Sequence, residues 1–329
     1  MQYREIGQSG IQASVVGLGA WAIGGGSWWG PTDDDESVRA IQAGLDAGIN
    51  LIDTAPGYGW GRSEEVVGRA VKGRRDDVVL STKCGVWWQD DRGAPFFEAA
   101  GRKVKRCLRP ETICEEVELS LQRLDTDRID LYFTHWPAVE PDPTPIAVTM
   151  ECLMDLKQQG KIRAIGASNV SLTQMDEYRA AGVLDANQPR YSMLDRTIEA
   201  EVLPYCQEHG ISICAYTPLE QGLLTGKIGM DRQLSEGEVR NGIPWFKPAN
   251  RQRVLDLLAG WADLTEAHHC TLSQLVIAWT VAQPGLTFAL CGARKPDHVR
   301  ENAGGGGIHL APDELARMRE DVEALGKPV

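Results

Sequence analysis

Short apolar runs alternate with longer amphipathic segments from one end of this chain to the other, and that rhythm leaves few folds open. Eight runs read as strands, at 15–18, 50–53, 78–82, 129–134, 162–166, 186–188, 211–216 and 286–291. The segments between them carry helical spacing. Ile113, Val117, Leu121 and Leu124 fall on one face behind Pro110, a good first-turn residue. Val254, Leu257, Leu258 and Trp261 do the same, as do Leu272, Leu275, Val276 and Trp279. Thr32 followed by Asp33, Asp34, Asp35 and Glu36 is an acidic helix start that suits the positive end of the dipole. Eight strand–helix units with no linker between halves predict an α/β chain folded as one (β/α)8 TIM barrel over 1–329. The short pieces at 3–6 and 11–16, split by GQSG, predict an N-terminal β-hairpin.

Three segments break the rhythm: 85–109, 221–250 and the tail beyond Gly304. The first two follow the third and seventh strands, which puts both long loops on the C-terminal face of the barrel, where long loops usually serve function. The run GGGG at 304–307 reads as a flexible connector to a last helix from Pro312. GLGAWA at 17–22 satisfies a loose dinucleotide fingerprint, but the chain continues IGGGSWWGP, which is not expected to form the helix such a turn must open into.

Charge narrows the partners. With 34 Lys and Arg against 46 Asp and Glu, the net charge of −12 argues against nucleic acid or an anionic membrane. No apolar stretch is long enough to span a bilayer, and MQYREIG lacks the apolar core of a signal peptide, so the cytoplasm is the expected compartment. Cysteines 84, 107, 114, 152, 206, 214, 270 and 291 form no CxxC pair; they read as reduced, mostly buried thiols, and no metal is expected. The oligomeric state is left open, with a monomer allowed.

In a barrel, residues at the C-terminal strand ends converge on one site. Here they are Trp21, Asp53, Tyr58, Lys83, His135, Ser168, Asn169, Gln188 and Tyr216. Four make a useful set. A phenol has a reference pKa of about 10, and a nearby ammonium such as Lys83 is expected to lower it. Asp53 can hold the lysine charged, and His135 can donate to a substrate oxygen. Together they form a proton donor matched to a carbonyl oxygen that becomes alkoxide as hydride reaches its carbon. Each residue also has an ordinary reading: a turn cap, a solvated lysine, a satisfied core histidine. Convergence from three successive strands favours the chemical one.

These residues stand in recognisable surroundings: LIDTAPGYGWGRSEEVVG, LSTKCG, LYFTHWP, GKIRAIGASN, YTPLEQGLLTGK and GARKPDHVREN. Over nearly its whole length the chain resembles the aldo-keto reductase superfamily, in particular the bacterial branch of methylglyoxal reductase-like, glycerol dehydrogenase-like and inositol-operon enzymes. The resemblance implies that Asp53, Tyr58, Lys83 and His135 form a catalytic tetrad serving a nicotinamide cofactor without a Rossmann domain. It implies that Ser168, Asn169 and Gln188 hold the carboxamide and that Tyr216 stacks on the ring. Pro218, Leu219, Gln221, Gly222, Leu223, Thr225, Gly226 and Lys227 fall where the family wraps the pyrophosphate. The adenosine end falls at Gly292, Arg294, Lys295, His298, Glu301 and Asn302. Arg294 and Lys295 sit where a 2′-phosphate is met, so NADPH is expected ahead of NADH. His298 departs from the family's usual Arg or Gln. As an alternative, the same pair is a solvated basic turn.

Trp21 and Trp136 match aromatic pocket walls in relatives, and Trp28, Trp29, Trp60, Trp87 and Trp88 lie in the same set of loops, so a substrate pocket lined by these tryptophans is expected. Arg102, Lys103, Lys105, Arg106 and Arg109 read either as a solvated lid or as an attractor of anions. The expected activity is reduction of small aldehydes, 2-oxoaldehydes or sugar-derived carbonyls, with Tyr58 as proton donor. Two alternatives are a non-catalytic NADP(H)-binding partner module of the channel β-subunit type, and Schiff-base chemistry at Lys83, which the DTAPGYG context disfavours.

Overall fold

In the computed structural model, which describes residues 1–329 apart from the side chain of Ser27, the eight apolar runs close into one parallel barrel. The chain opens with β1 (Tyr3–Glu5) and β2 (Gln12–Ser14), an antiparallel hairpin. Its Ile6, Ile11 and Ala13 are buried with the residues that fill the barrel interior, among them Leu51, Leu131, Phe133 and Phe288. After β3 (Val16–Gly19), two single turns replace the irregular stretch expected at 23–31: a 3-10 turn, Trp21–Gly24, and α1 (Gly26–Trp29). One helical turn is too short to present the dipole of a nucleotide-binding helix, so the Rossmann reading still fails.

The units then follow in order. First come α2 (Asp34–Asp46), β4 (Leu51–Asp53), α3 (Arg62–Val71) and β5 (Val79–Cys84). The expected loop at 85–109 is instead a three-stranded antiparallel sheet of β6 (Val86–Trp87), β7 (Ala94–Ala99) and β8 (Arg102–Arg106), with β8 central. Beyond it lie α4 (Pro110–Leu124), β9 (Ile129–Thr134), α5 (Ile146–Gln158), β10 (Ile162–Ser168) and α6 (Leu172–Ala181). Next are β11 (Ala186–Gln188), α7 (Val202–Glu208) and β12 (Ser212–Tyr216). The second long loop folds as 3-10 turns before α8 (Pro248–Ala259), α9 (Ala262–Ala267) and α10 (Leu272–Val281). The chain closes with β13 (Phe288–Gly292), α11 (Pro296–Gly305) and α12 (Pro312–Leu325).

The barrel order is β3-β4-β5-β9-β10-β11-β12-β13, with β13 returning to β3. Strand periodicity turns Lys83 inward to Asp53 and Thr82 outward to Glu64 of α3. The four α4 positions picked out by spacing are all buried.

The glycine run at 304–307 is not a free connector. Gly304 and Gly305 end α11, and a Cβ on Gly305 would meet Ile277 of α10 at 2.7 Å. Glycine here lets two helices approach closely. All eight cysteines are free, six of them buried. Among the described residues, no helix is long and apolar enough to cross a membrane.

Candidate active site

Asp53 ends β4, and its carboxylate is fully occupied. One oxygen accepts from Lys83 Nζ at 2.7 Å; the other accepts from Ser81 Oγ and Gln188 Nε2, each at 2.9 Å. Lys83 also donates to the Thr54 carbonyl at 2.8 Å and is completely buried. Burial pushes its pKa down, but Asp53 and Tyr58 beside it prevail and hold it above the ordinary lysine value. A buried ammonium is tolerable here because a carboxylate and a carbonyl solvate it directly.

Tyr58 lies five residues beyond Asp53, on a turn packed against the loop after β3. Gly59 has φ of +65°, and a Cβ there would lie 2.3 Å from the Gly24 carbonyl, so only glycine permits this approach. Lys83 Nζ sits 5.1 Å from the phenol ring centroid. The expected lowering of the phenol pKa is not the net result. Burial raises it, and this outweighs the downward pull of Lys83. The group is therefore kept as a neutral acid.

His135 follows β9. Its backbone N–H donates to Cys84 O at 2.9 Å, and its ring stands edge-on to Tyr58 at 5.9 Å. Burial and the Lys83 charge hold the imidazole well below its ordinary pKa, so it is neutral. Nδ1 is buried without a partner. A proton placed there would be an orphaned donor, which favours the tautomer with N–H on Nε2.

These groups stand at one end of a cavity of about 870 Å³. Asp53, Tyr58 and His135 line it, while Lys83 lies behind them. Ser168, Asn169, Gln188 and Tyr216 line its middle and are already joined to one another. Ser168 Oγ donates to Gln188 O at 2.7 Å, Asn169 Nδ2 to His135 O at 3.1 Å, and Tyr216 OH to Asn169 Oδ1 at 2.9 Å. Asn169 is left-handed, with φ of 59°.

After β12 the backbone is strained. Thr217, Glu220 and Gln221 all have positive φ, and Arg190, itself held by Asp195 at 2.9 Å, clamps the turn through Glu220. Such conformations persist where the surroundings enforce them, often at ligand clamps. Pro218, Leu219, Gln221, Gly222, Thr225 and Lys227 face the cavity; Leu223 and Gly226 do not line it. Leu223 is a buried core residue, and Gly226 closes the turn against Leu272.

The far end is lined by Gly292, Arg294, Lys295, His298, Glu301 and Asn302. Lys227 pairs with Glu301. Arg294 is partly engaged, donating to the carbonyls of Trp29 and Pro31 at 3.2 Å each. Thr217 Oγ1, Gln221 Oε1 and Glu301 Oε1 are buried without partners, and their residues line the cavity.

Of the seven tryptophans expected in the substrate pocket, Trp21, Trp28, Trp29 and Trp136 line the cavity. Trp60, Trp87 and Trp88 do not. Trp60 stands one ring behind, 6.3 Å from Trp28 and 5.4 Å from Trp88. Trp87 is buried beneath Arg92, with its indole N–H on Asp90 at 2.8 Å. Trp88 lines a separate small niche with Pro56 and Arg123. Trp87 lines that niche as well, so both rings of the doublet face away from the main cavity.

Sequence reasoning passed over Phe96 and Phe97 of β7, which supply wall instead. Their adjacency within a long insertion was a signal. Arg240 and Ile243, from the second insertion, also line the cavity; Arg240 lies 5.7 Å from the Trp29 ring centroid. No local pattern marked those.

A family model described as the aldo/keto reductase family matches residues 15–323. A methylglyoxal reductase of Escherichia coli (strain K12), described as NADH-specific, is 46% identical over 322 residues, covering 97% of this chain and 98% of its own. Among solved structures, a glycerol dehydrogenase from Gluconobacter oxydans superposes with a TM-score of 0.87 at 39% identity, covering 99% of this chain and 96% of that one. An aldo-keto reductase from Klebsiella pneumoniae in complex with NADPH gives 0.72 at 29% identity, covering 97% and 95%.

Proposed function

We propose that this chain, which belongs to the aldo/keto reductase family, uses Asp53, Tyr58, Lys83 and His135 as its catalytic residues. It is an oxidoreductase that reduces carbonyl groups with a nicotinamide cofactor. The observation that carries the residue assignment is the meeting of Tyr58 and His135 over a buried Lys83–Asp53 pair, at the end of a cavity that continues to Asn302.

The residues present fit such a cofactor. The cavity is long, and partnerless buried polar atoms at Thr217, Gln221 and Glu301 suit a polar, elongated ligand. Ser168, Asn169 and Gln188 would hold the carboxamide, and Tyr216 would pack on the ring. The turn from Pro218 to Lys227 would hold the pyrophosphate and the stretch from Gly292 to Asn302 the adenosine. When bound, the reduced nicotinamide supplies hydride to the carbonyl carbon. His135 Nε2–H donates to the carbonyl oxygen and orients it, and Tyr58 delivers the proton as charge develops there. Lys83 stabilises the phenolate that remains, and Asp53 fixes Lys83.

NADPH is the cofactor we favour, because Arg294 and Lys295 offer two cations at the adenosine end. NADH is a second reading. Asp33 and Glu36 line the same end, Arg294 is already bonded to two carbonyls, and a 46% identical relative is described as NADH-specific. The substrates proposed are small aldehydes, 2-oxoaldehydes or sugar-derived carbonyls, entering an aromatic-walled end that excludes water.

The test is steady-state kinetics with methylglyoxal and each cofactor. Tyr58→Phe is expected to lower kcat by about 10²–10⁴-fold, with cofactor binding, read by fluorescence titration, unchanged. Full activity in that variant would overturn the assignment. A lower KM for NADH than for NADPH would overturn the cofactor preference.

A further inference from the structure

Two cations of the basic run at the centre of the lid sheet, Arg102 and Arg106, find their partners in aromatic rings. The Arg102 guanidinium lies 5.0 Å from the Trp60 ring centroid. That of Arg106 lies 4.1 Å from Phe96 and 4.9 Å from Trp136. Phe96 and Trp136 both line the catalytic end of the cavity, with centroids 5.5 Å apart at 63°.

Neighbouring cations are matched by acids. Lys105 pairs with Asp91 at 2.7 Å, Arg109 with Asp142 at 3.0 Å, and Arg92 with Asp90 at 2.6 Å and Glu115 at 2.8 Å. Arg106 has no carboxylate partner among the described residues, and its Nε is buried without an acceptor. The side chain as a whole is half-buried, but its covered edge meets no anion, so another attraction must hold it there. The negative faces of two rings supply one, and cation–π attraction strengthens as water is excluded.

Strand register shows what this joins. Arg106 is opposite Val86 on one side and Ala94 on the other. Val86 lines the cavity, Phe96 lies two residues beyond Ala94, and Trp136 directly follows His135. One side chain thus ties the lid strand to the segment that carries the histidine. Arg106 itself does not line the cavity, so it acts through the rings.

We propose that Arg106 is a positioning residue for substrate selection: by clamping Phe96 against Trp136 it keeps the wall rigid and sized for small, unbranched carbonyl compounds. This rests on the carbonyl-reductase reading of the site. Removing the clamp leaves the acid and the hydride path intact but lets the wall move, so the loss falls on KM and on discrimination by size.

The experiment compares propanal, pivaldehyde and succinic semialdehyde in the wild type, Arg106→Met and Arg106→Lys. Arg106→Met is expected to raise KM for propanal about three- to tenfold, the range for a half-buried cation–π contact, with kcat within about twofold. The preference for propanal over pivaldehyde in kcat/KM should narrow about tenfold, and Arg106→Lys should restore part of both. Unchanged KM and preference, or an equal fall in kcat for both aldehydes, overturns the proposal. So does a loss confined to succinic semialdehyde, which would mean that the cation meets an anionic substrate directly. If Arg106→Met does not fold, Phe96→Leu removes one clamped ring and should narrow the same preference; an unaltered preference overturns it. Loss of propanal turnover in Tyr58→Phe reports separately on the reductase reading.

Discussion

Tyr58 and His135 are tuned in opposite directions by one environment. Burial penalises whichever form is charged, so it raises the phenol and lowers the imidazole, and Lys83 reinforces only the second shift. Both groups are then neutral donors across the physiological range. The pH consequence follows from the sign. The phenol donates only while protonated, and that form is lost as pH rises through a pKa held above the usual value of about 10. The imidazole, held well below its ordinary value, does not change charge near pH 6.5. Reductive kcat/KM is therefore expected to be flat from about pH 6 to 9 and to fall only above about pH 10. An acid limb near pH 6.5 in the measured profile would contradict this account. Neither sign was legible in the sequence, because the size of a desolvation penalty depends on burial that no local pattern reports.

At the scale of elements, α4 carries a buried carboxyl beneath the end of β5. Glu116 accepts from the Gly85 N–H at 2.7 Å, two residues past Lys83, while its other oxygen is buried and partnerless. Burial, with Glu64 adding to it, pushes this carboxyl well above the ordinary carboxylate value. A raised acid contributes stability that is complete below its unfolded pKa and is lost as pH climbs toward the folded one. Glutamine mimics the neutral acid at every pH. Glu116→Gln is therefore expected to raise the thermal midpoint by about 3 °C at pH 8 and to change little at pH 4.5. A gain of the same size at both pH values would mean that the carboxyl is not the cause. The lid sheet belongs to this scale too. The segment 85–109 read as a loop because its strands are short and its alternation is broken by charged residues. Only pairing of β8 with strands on both sides, and stacking of its cations on rings, gives those residues a place.

At the scale of the whole molecule, α11 couples the far end of the cavity to the packing of the outer helices. Gly305 → Ala would put a methyl against Ile277, and nearby Glu301 and Asn302 line the cavity on the same helix. We expect a destabilisation of about 1–3 kcal/mol, together with weaker cofactor binding; unfolding and fluorescence titration measure the two. Unchanged values of both would show that α11 can shift freely. The sequence by itself determined the barrel, its hairpin, and the strand ends that bring Asp53, Tyr58, Lys83 and His135 together. Those follow from periodicity and from the rule that parallel strands present their C-terminal ends on one face, both local in origin. Tertiary structure alone decided that Trp87 and Trp88 leave the pocket while Phe96 and Phe97 enter it, that Gly305 and Gly306 are packed, and that Arg106 is paired with rings and not with acids. Each depends on which distant surface a side chain meets, and that is set only when the chain has closed on itself.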